Sequence, residues 1–280
     1  MDHHVLPSGK RVKLGAKPAT VDRRDMLLKT YLDADKLLAS EDVPGAIDWS
    51  QMPDQDGQQI PYDDDVLGND AFGDCVFAGP GHQLRMIAAL TGNQPPVPVT
   101  GDSTLHEYSL CTGFDPSNPA TDNGADIRDM LKRAVNVGMW GIKALAFAAI
   151  DMDDPVQRRV ACWLGCGTIN GYALPKYAQG AVDSQGRQLW DVPPGGFPVG
   201  QGVATWGGHC IWRQTDSPKL LGGNSWGEKT IWTPAFEYRC CEQSFVLLWP
   251  TWVLRSGRAP NGLALEDMLA DVAARARMKH

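Results

Sequence analysis

The sequence lacks any segment long and apolar enough to cross a membrane. No uninterrupted apolar run in its 280 residues approaches the roughly 18 residues that a transmembrane helix requires. The first residues, MDHHVLPSGKRVKLG, also lack the apolar centre of a secretory signal peptide. We therefore expect a protein that is synthesised in the cytoplasm and has no membrane partner, although it could leave the cell inside a larger assembly.

Basic residues are too few for a nucleic-acid-binding protein. Lysine and arginine number 26 against 33 aspartates and glutamates, which gives a formal net charge of −7. A protein that binds nucleic acid needs a basic surface, because phosphate contacts supply much of the binding free energy. We therefore expect that nucleic acid is not the main partner.

The cysteines lack the pattern of a disulfide framework or a metal site. Their number, seven, is odd, and their spacing is irregular. Cys162 and Cys166 are four residues apart and Cys240 and Cys241 are adjacent, so they do not form the C-x2-C pairs typical of structural zinc sites. We expect buried or idle thiols at these positions, and neither a metal ion nor another cofactor.

The sequence does contain a cysteine, a histidine and an asparagine that suit one catalytic constellation. His209 follows Cys75 by 134 residues, and Asn224 follows it by 149. A thiol becomes an effective nucleophile when a histidine accepts its proton and a third group orients that histidine. A side-chain amide can supply the orienting group, so the three residues predict nucleophilic catalysis by a thiolate.

Three short segments around these residues resemble the papain-like cysteine peptidases. The first is LGNDAFGDCVFA at residues 67–78, the second is the Gly-Gly-His that ends at His209, and the third is the Asn-Ser-Trp-Gly that begins at Asn224. The resemblance implies that Cys75 opens a long helix as the nucleophile and that His209 is the general base. It further implies that Asn224 orients the imidazole and that Trp226 shields their hydrogen bond from water.

The resemblance also implies an oxyanion donor six residues before the nucleophile, where this chain has Asn69. Its side-chain amide is one methylene shorter than the glutamine of the family. Pro80 falls in the second turn of the expected helix and predicts a kink or a late helix start. The strand that usually follows Asn-Ser-Trp-Gly is expected to be replaced, because Thr233 and Pro234 are typical of a helix start.

A second, looser resemblance covers most of the chain and is to papain-like proteins of tailed phages and prophages. The segments that carry it are LGND at residues 67–70, GDC at 73–75, GH at 81–82, TGFDP at 112–116 and TDNG at 121–124. It implies a virion-associated protein, with capsid or tail proteins as partners. Two hypotheses follow: a peptidase or amidase acting on a protein or peptide substrate, or a structural virion protein with little or no catalytic activity.

The order of predicted elements favours an α+β, papain-like fold with two lobes. Residues 46–143 form the predicted helical lobe with Cys75, and residues 144–258 form the predicted β-rich lobe with His209 and Asn224. Helices are predicted over 74–90, 127–135, from Pro155 onward, and over 263–277, and strands over 144–150, 167–173, 209–214, 219–223 and 244–248.

The first 45 residues are predicted to lie outside both lobes, and residues 259–280 to form a C-terminal helix. Apolar residues between Met26 and Leu38 are spaced for one or two short amphipathic helices. This region could be a short propeptide that covers the cleft or an arm that reaches a neighbouring subunit. His82 is predicted to be a surface or packing histidine, and the acidic run at 63–65 a solvated loop.

Overall fold

A mixed eight-stranded sheet forms the centre of the fold, and helices pack on it. The computed structural model describes residues 3–32, 43–54, 56–185, 187–253 and 264–277. Its elements in chain order are β1 His4–Val5, β2 Arg11–Val12, β3 Ile47–Asp48, α1 Cys75–Thr91, α2 Gly101–Thr112, α3 Ile127–Asn136, β4 Ala146–Ala149, α4 Pro155–Leu164, β5 Thr168–Leu174, β6 Leu189–Trp190, β7 Gly207–Asp216, β8 Leu221–Ser225, β9 Glu228–Trp232, α5 Pro234–Cys240, β10 Cys241–Leu248, α6 Pro250–Val253 and α7 Leu265–Arg277.

The main sheet has the strand order β4-β10-β5-β7-β8-β9-β6, with β3 pairing to β7 outside this path. All its neighbouring strands are antiparallel except β6 and β9, which are parallel. The long strand β7 lies between β5 and β8, and helix α1 packs against it. The sheet and α1 therefore meet along β7, which is the strand that contains His209.

Local sequence signals explain most helix boundaries. Asp154 caps α4 by accepting hydrogen bonds from the backbone N–H groups of residues 156 and 157, and Pro155 occupies the first helical position. Thr233 caps α5 in the same way, again with proline following. Helix α3 ends near Gly138, whose φ of +104° suits glycine. These three boundaries confirm the sequence-based predictions.

Two predictions about α1 and the strands differ from the structure. Helix α1 begins at Cys75 and continues through Pro80, so the late start is wrong. Since the two residues flanking Pro80 are glycines, little side-chain bulk surrounds the ring at this turn. The segment after Asn-Ser-Trp-Gly does form a strand, β9, because Glu228–Trp232 pairs with β8 before α5 begins. The expected helix therefore follows this strand instead of replacing it.

Three groups of buried apolar side chains hold the elements together. The largest joins α1, α2 and α3 to the α1-facing side of the sheet, and the second lies on the opposite side around Trp190 and Trp232. The third packs α4 and α7 on β4 and β10, with Met268 of α7 fully buried. The C-terminal helix thus docks as its apolar spacing predicts.

Where the structure describes the N-terminal segment that was expected to be helical, it contains only one short helical turn. Residues 28–30 form a single 3-10 turn, and β1 pairs with β2 as a short hairpin. The predicted helical positions Leu37 and Leu38 lie outside the described residues. None of the helices within the described ranges is both long and apolar enough to span a membrane.

Candidate active site

Cys75 is the first residue of α1, where the partial positive charge of the helix dipole favours a thiolate. The side chain is buried, with 1% of its surface exposed. This burial raises the pKa of the Cys75 thiol to about 12, although backbone N–H groups near the sulfur act in the opposite direction. In the structure as it stands, the thiol is therefore protonated at neutral pH.

Strand β7 brings His209 to the same region. The backbone N–H of Cys210, the next residue, donates a hydrogen bond to the Cys75 Sγ at 3.4 Å. The His209 ring stacks on Trp226 with 4.0 Å between the ring centroids and 14° between the planes. Trp226 therefore covers one face of the imidazole. Burial lowers the pKa of His209 to about 3, so this ring is neutral as well.

The hydrogen bond of the His209 ring is made with Ser225. The His209 Nε2 lies 3.0 Å from the Ser225 Oγ, and its Nδ1 has no hydrogen-bond partner among the described residues. Successive residues of a strand point to opposite faces, so only one of Asn224 and Ser225 can face the imidazole. This alternation is the signal in the sequence that would have drawn attention to Ser225.

The side chain of Asn224 has other partners. Its Oδ1 accepts a hydrogen bond from the Gly227 N–H at 2.9 Å, and its Nδ2 donates to the Asp63 carbonyl oxygen at 2.6 Å. These bonds connect the turn after β8 to the loop that precedes α1. The structure therefore gives Asn224 a role in holding these two loops, and it gives the contact with His209 to Ser225.

The side chain of Asn69, the expected oxyanion donor, is buried and bonds to two main-chain carbonyls. Its Nδ2 donates to the Phe72 oxygen at 2.9 Å and to the Lys13 oxygen at 3.3 Å. The second acceptor belongs to the N-terminal region. The Asn69 amide, which the resemblance assigns to the oxyanion, thus donates a hydrogen bond to the Lys13 carbonyl oxygen instead.

The Lys13 carbonyl belongs to residues 11–17, which lie across the site. We call these residues the covering segment. The N–H groups of Gly15 and Ala16 both donate to the Gly208 carbonyl oxygen, at 3.2 and 3.1 Å. On the other side, the Ala125 N–H donates to the Gly15 oxygen, and the Lys17 N–H donates to the Ala125 oxygen. The covering segment therefore bridges β7 and the chain just before α3.

The side chain of Lys13 anchors the covering segment to Asp122 through a buried ion pair. Asp122 also accepts hydrogen bonds from the Tyr108 hydroxyl and from the Gly73 N–H, which is two residues before Cys75. Burial alone would raise the pKa of Asp122, but the hydrogen bonds from these three donors outweigh it and lower the pKa. The carboxylate therefore stays charged at neutral pH and holds the ammonium group.

Apolar and aromatic contacts hold the rest of the covering segment. Leu14 is buried in the same cluster as Trp206 and Trp226, and the Trp226 Nε1 donates to the Lys13 carbonyl oxygen at 3.1 Å. The ammonium group of Lys10, just before the covering segment, donates to the Trp226 carbonyl oxygen at 2.7 Å. Trp226 thus contacts both the histidine and the chain that covers it.

His82 is buried between the Asn224 amide, whose Nδ2 lies 3.3 Å from the His82 Nδ1, and the acidic run that was expected to be a solvated loop. The His82 Nδ1 lies 2.8 Å from the Asp63 Oδ2, and Arg85 pairs with both Asp63 and Asp65. Since His82 lies about two helical turns after Cys75, it is too distant to accept the thiol proton. These contacts tie the loop before α1 to the helix itself.

No side-chain cluster in the described ranges suits a metal ion, because no three histidine, cysteine or carboxylate groups converge there. All seven cysteines are free thiols. A polar cavity of about 270 Å³ lies beside the covering segment, between Lys17, Ala125, Asp126 and Cys111. Cys75 and His209 do not line this cavity.

The fold is similar to that of a known cysteine protease. The crystal structure of xylellain, a cysteine protease from Xylella fastidiosa, matches with a TM-score of 0.57 and 14% sequence identity. The match covers 85% of this chain and 96% of that one. No protein-family model matches the sequence, and no curated protein matches it either. The chain is thus an α+β protein with a cysteine protease-like fold.

Proposed function

We propose that this protein is a papain-like cysteine peptidase or amidase in which Cys75 is the nucleophile and His209 the general base. The observation that carries the proposal is the position of Cys75. It opens a helix, its sulfur accepts a hydrogen bond from the N–H of the residue after His209, and the Nδ1 of that histidine has no hydrogen-bond partner among the described residues. The similarity of the fold to a cysteine protease supports the same reading.

The proposed reaction begins when His209 takes the proton of the Cys75 thiol. The thiolate attacks the amide carbonyl carbon, and the negative charge that develops on the oxygen is stabilised by the Cys75 N–H and the Asn69 side chain. The imidazolium then gives its proton to the departing amine, which leaves a thioester. Water, deprotonated by His209, hydrolyses the thioester and restores the thiol.

Ser225 and Trp226 would position the imidazole during these steps. The hydrogen bond to Ser225 fixes the Nε2 side of the ring, so the Nδ1 side is left for the thiol proton. The stacked indole excludes water from one face of the ring. Asn224 would act at a distance, by holding the turn on which Ser225 and Trp226 lie.

The covering segment must leave before a substrate can enter. It occupies a donor of the proposed oxyanion site, and its residues Gly15 and Ala16 lie against the Cys75 sulfur. Cys75 and His209 are both buried and uncharged in this covered state. These contacts favour a propeptide-like cover over an assembly arm for residues 11–17. The full chain would accordingly be a latent enzyme, and displacement of the cover would let water reach the thiolate and the imidazolium.

The test is the rate at which a chloroacetamide probe alkylates Cys75 at pH 6 in a chain whose cover has been released. A thiol with the ordinary pKa of about 8.5 is less than 1% ionised at this pH, so fast alkylation requires a thiolate–imidazolium pair. We expect fast labelling that is lost in His209→Ala. Labelling no faster than that of a simple thiol would refute the proposed chemistry.

One observation favours the second candidate, a structural protein of a phage particle with this fold. The side chain of Asn69 is bonded to main-chain carbonyls, and that of Asn224 to main-chain groups and the His82 ring, as they would be in a site that no longer turns over substrate. A chain of this kind would co-sediment with capsids or tails at a saturable stoichiometry. A chain that hydrolyses peptides and never co-sediments would count against this candidate.

A further inference from the structure

The covering segment passes between two walls that are made of glycine. One wall is Gly73, just before the start of α1, and the other is formed by Gly207 and Gly208 at the start of β7. We call the space between them the glycine passage. Gly15 is the residue of the covering segment that lies in it, and its Cα would be 3.3 Å from a Cβ placed on Gly73.

The glycine passage is too narrow for a side chain at this position. A Cβ added to Gly15 would come within 3.0 Å of the carbonyl oxygen, the carbonyl carbon and the Cα of Gly73, a separation that real Cβ atoms essentially never show. These are backbone atoms, so no change of rotamer relieves the overlap. The Gly73 N–H is bound by Asp122, which holds this wall in place.

The opposite wall is equally close. A Cβ on Gly208 would lie within 3.0 Å of the Ala16 carbonyl oxygen, and a Cβ on Gly207 would lie 2.9 Å from the Leu14 Cδ1. Both walls therefore contact the main chain that runs between them. At position 15 the limit is set by main-chain atoms of Gly73, so it applies to a peptide that binds as the covering segment does.

The residues next to Gly15 occupy environments of distinct chemistry. Leu14 lies in the apolar cluster under Trp206 and Trp226, and the Lys13 ammonium reaches the buried carboxylate of Asp122. On the other side, Ala16 packs in the cluster of α1. From one end to the other, the cleft offers a carboxylate, an apolar pocket, a glycine passage and a small apolar space.

We infer that this cleft selects peptides by a glycine at the position beside Cys75, flanked by a leucine-sized residue and then a basic residue. Gly73 is the specificity-determining residue, because its main-chain atoms leave no room for a side chain at the position that Gly15 occupies. That such peptides are cleaved rests on the proposed function. Their selective binding rests only on the geometry of the passage.

The test uses alkylation of Cys75 as a measure of occupancy, followed by peptide-level mass spectrometry. In the full chain, Gly15→Ala should expel the covering segment and raise the rate of Cys75 alkylation by about tenfold or more. Gly45→Ala is the matched control, since Gly45 is exposed and a Cβ there meets nothing within 4 Å. Its rate should equal that of the unaltered chain.

A second arm adds the peptide in trans, so that it does not depend on how well Gly15→Ala folds. Leu14→Asp should release the covering segment by placing a charge against Trp226. The peptide RVKLGAK, with the sequence of residues 11–17, should then protect Cys75 from alkylation, whereas RVKLAAK should not. Protection needs no catalysis, so a failure of the proposed peptidase activity would leave this result unchanged.

Three outcomes would overturn the inference. The first is that Gly15→Ala is labelled as slowly as Gly45→Ala, and the second is that RVKLAAK protects Cys75 as well as RVKLGAK does. The third is that neither peptide protects Cys75 in Leu14→Asp. A peptidase that cleaves alanine and glycine peptides equally, with both peptides protecting, would retain the proposed function and lose the glycine selectivity.

Discussion

Replacement of Lys13 by methionine should uncover Cys75. The Lys13–Asp122 pair is almost fully buried, with 9% and 1% of the two side chains exposed. Methionine keeps most of the apolar stem and removes the charge. Loss of one partner of a buried ion pair costs about 3–5 kcal/mol when the other charge stays buried.

The lower end of this range applies here, for two reasons. Asp122 keeps its hydrogen bonds from the Tyr108 hydroxyl and the Gly73 N–H, and it gains water when the covering segment leaves. A cost of about 3 kcal/mol, at about 1.4 kcal/mol per factor of ten, raises the ratio of open to covered chains about 100-fold. When the cover exchanges faster than the reagent reacts, the rate of alkylation rises by the same factor.

The assay is alkylation of Cys75 by chloroacetamide at pH 7, followed peptide by peptide. Lys17→Met is the matched control, because it makes the same change in an exposed lysine that forms no ion pair among the described residues. Thermal unfolding should show that both variants remain folded. Equal rates of Cys75 alkylation in the two variants and the unaltered chain would refute the anchoring role of Lys13.

Three further predictions concern the proposed catalytic groups. In a chain opened by Lys13→Met, Ser225→Ala should slow alkylation of Cys75 at pH 6 about tenfold, because His209 loses its ring partner. A larger decrease in the alkylation rate in Asn224→Ala would assign the orienting role to the Asn224 amide instead. Asn69→Ala should lower the turnover number about 100-fold and leave the rate of Cys75 alkylation unchanged. A similar decrease in the turnover number and in the alkylation rate would contradict an oxyanion role for Asn69. In the covered chain, the depressed pKa of His209 means that its contribution to stability is present above pH 6.5 and is lost as the pH falls toward 3. The free energy of unfolding should fall by up to about 1.4 kcal/mol per pH unit over that range, and an equal fall in His209→Gln, measured by urea unfolding, would exclude this histidine as the cause.

Helix ends were predictable from the sequence because their signals are local. A capping side chain followed by proline marks the starts of α4 and α5, and the capping contacts involve residues only two or three positions away. Strand β9 was missed because a strand is stabilised by its partner. Glu228–Trp232 has little alternation of its own and is ordered by pairing with β8.

The candidate site was predictable only in part, for the same reason. The sequence pointed to Cys75, His209 and Trp226, and the structure brings them to one region. The ring partner of His209 depends on which face of β8 meets β7, so the choice between Asn224 and Ser225 needed the fold. The covering segment depends on contacts between residues about 110–210 positions apart, such as Lys13 with Asp122 and with Trp226.

The most direct test of the central claim is hydrolysis of a glycine-containing peptide by the Lys13→Met chain, measured by mass spectrometry of the products. We predict cleavage with multiple turnovers, and no cleavage in Lys13→Met combined with Cys75→Ser. Cleavage that persists without the Cys75 thiol would contradict the account. So would the absence of hydrolysis in a chain whose Cys75 is rapidly alkylated at pH 6.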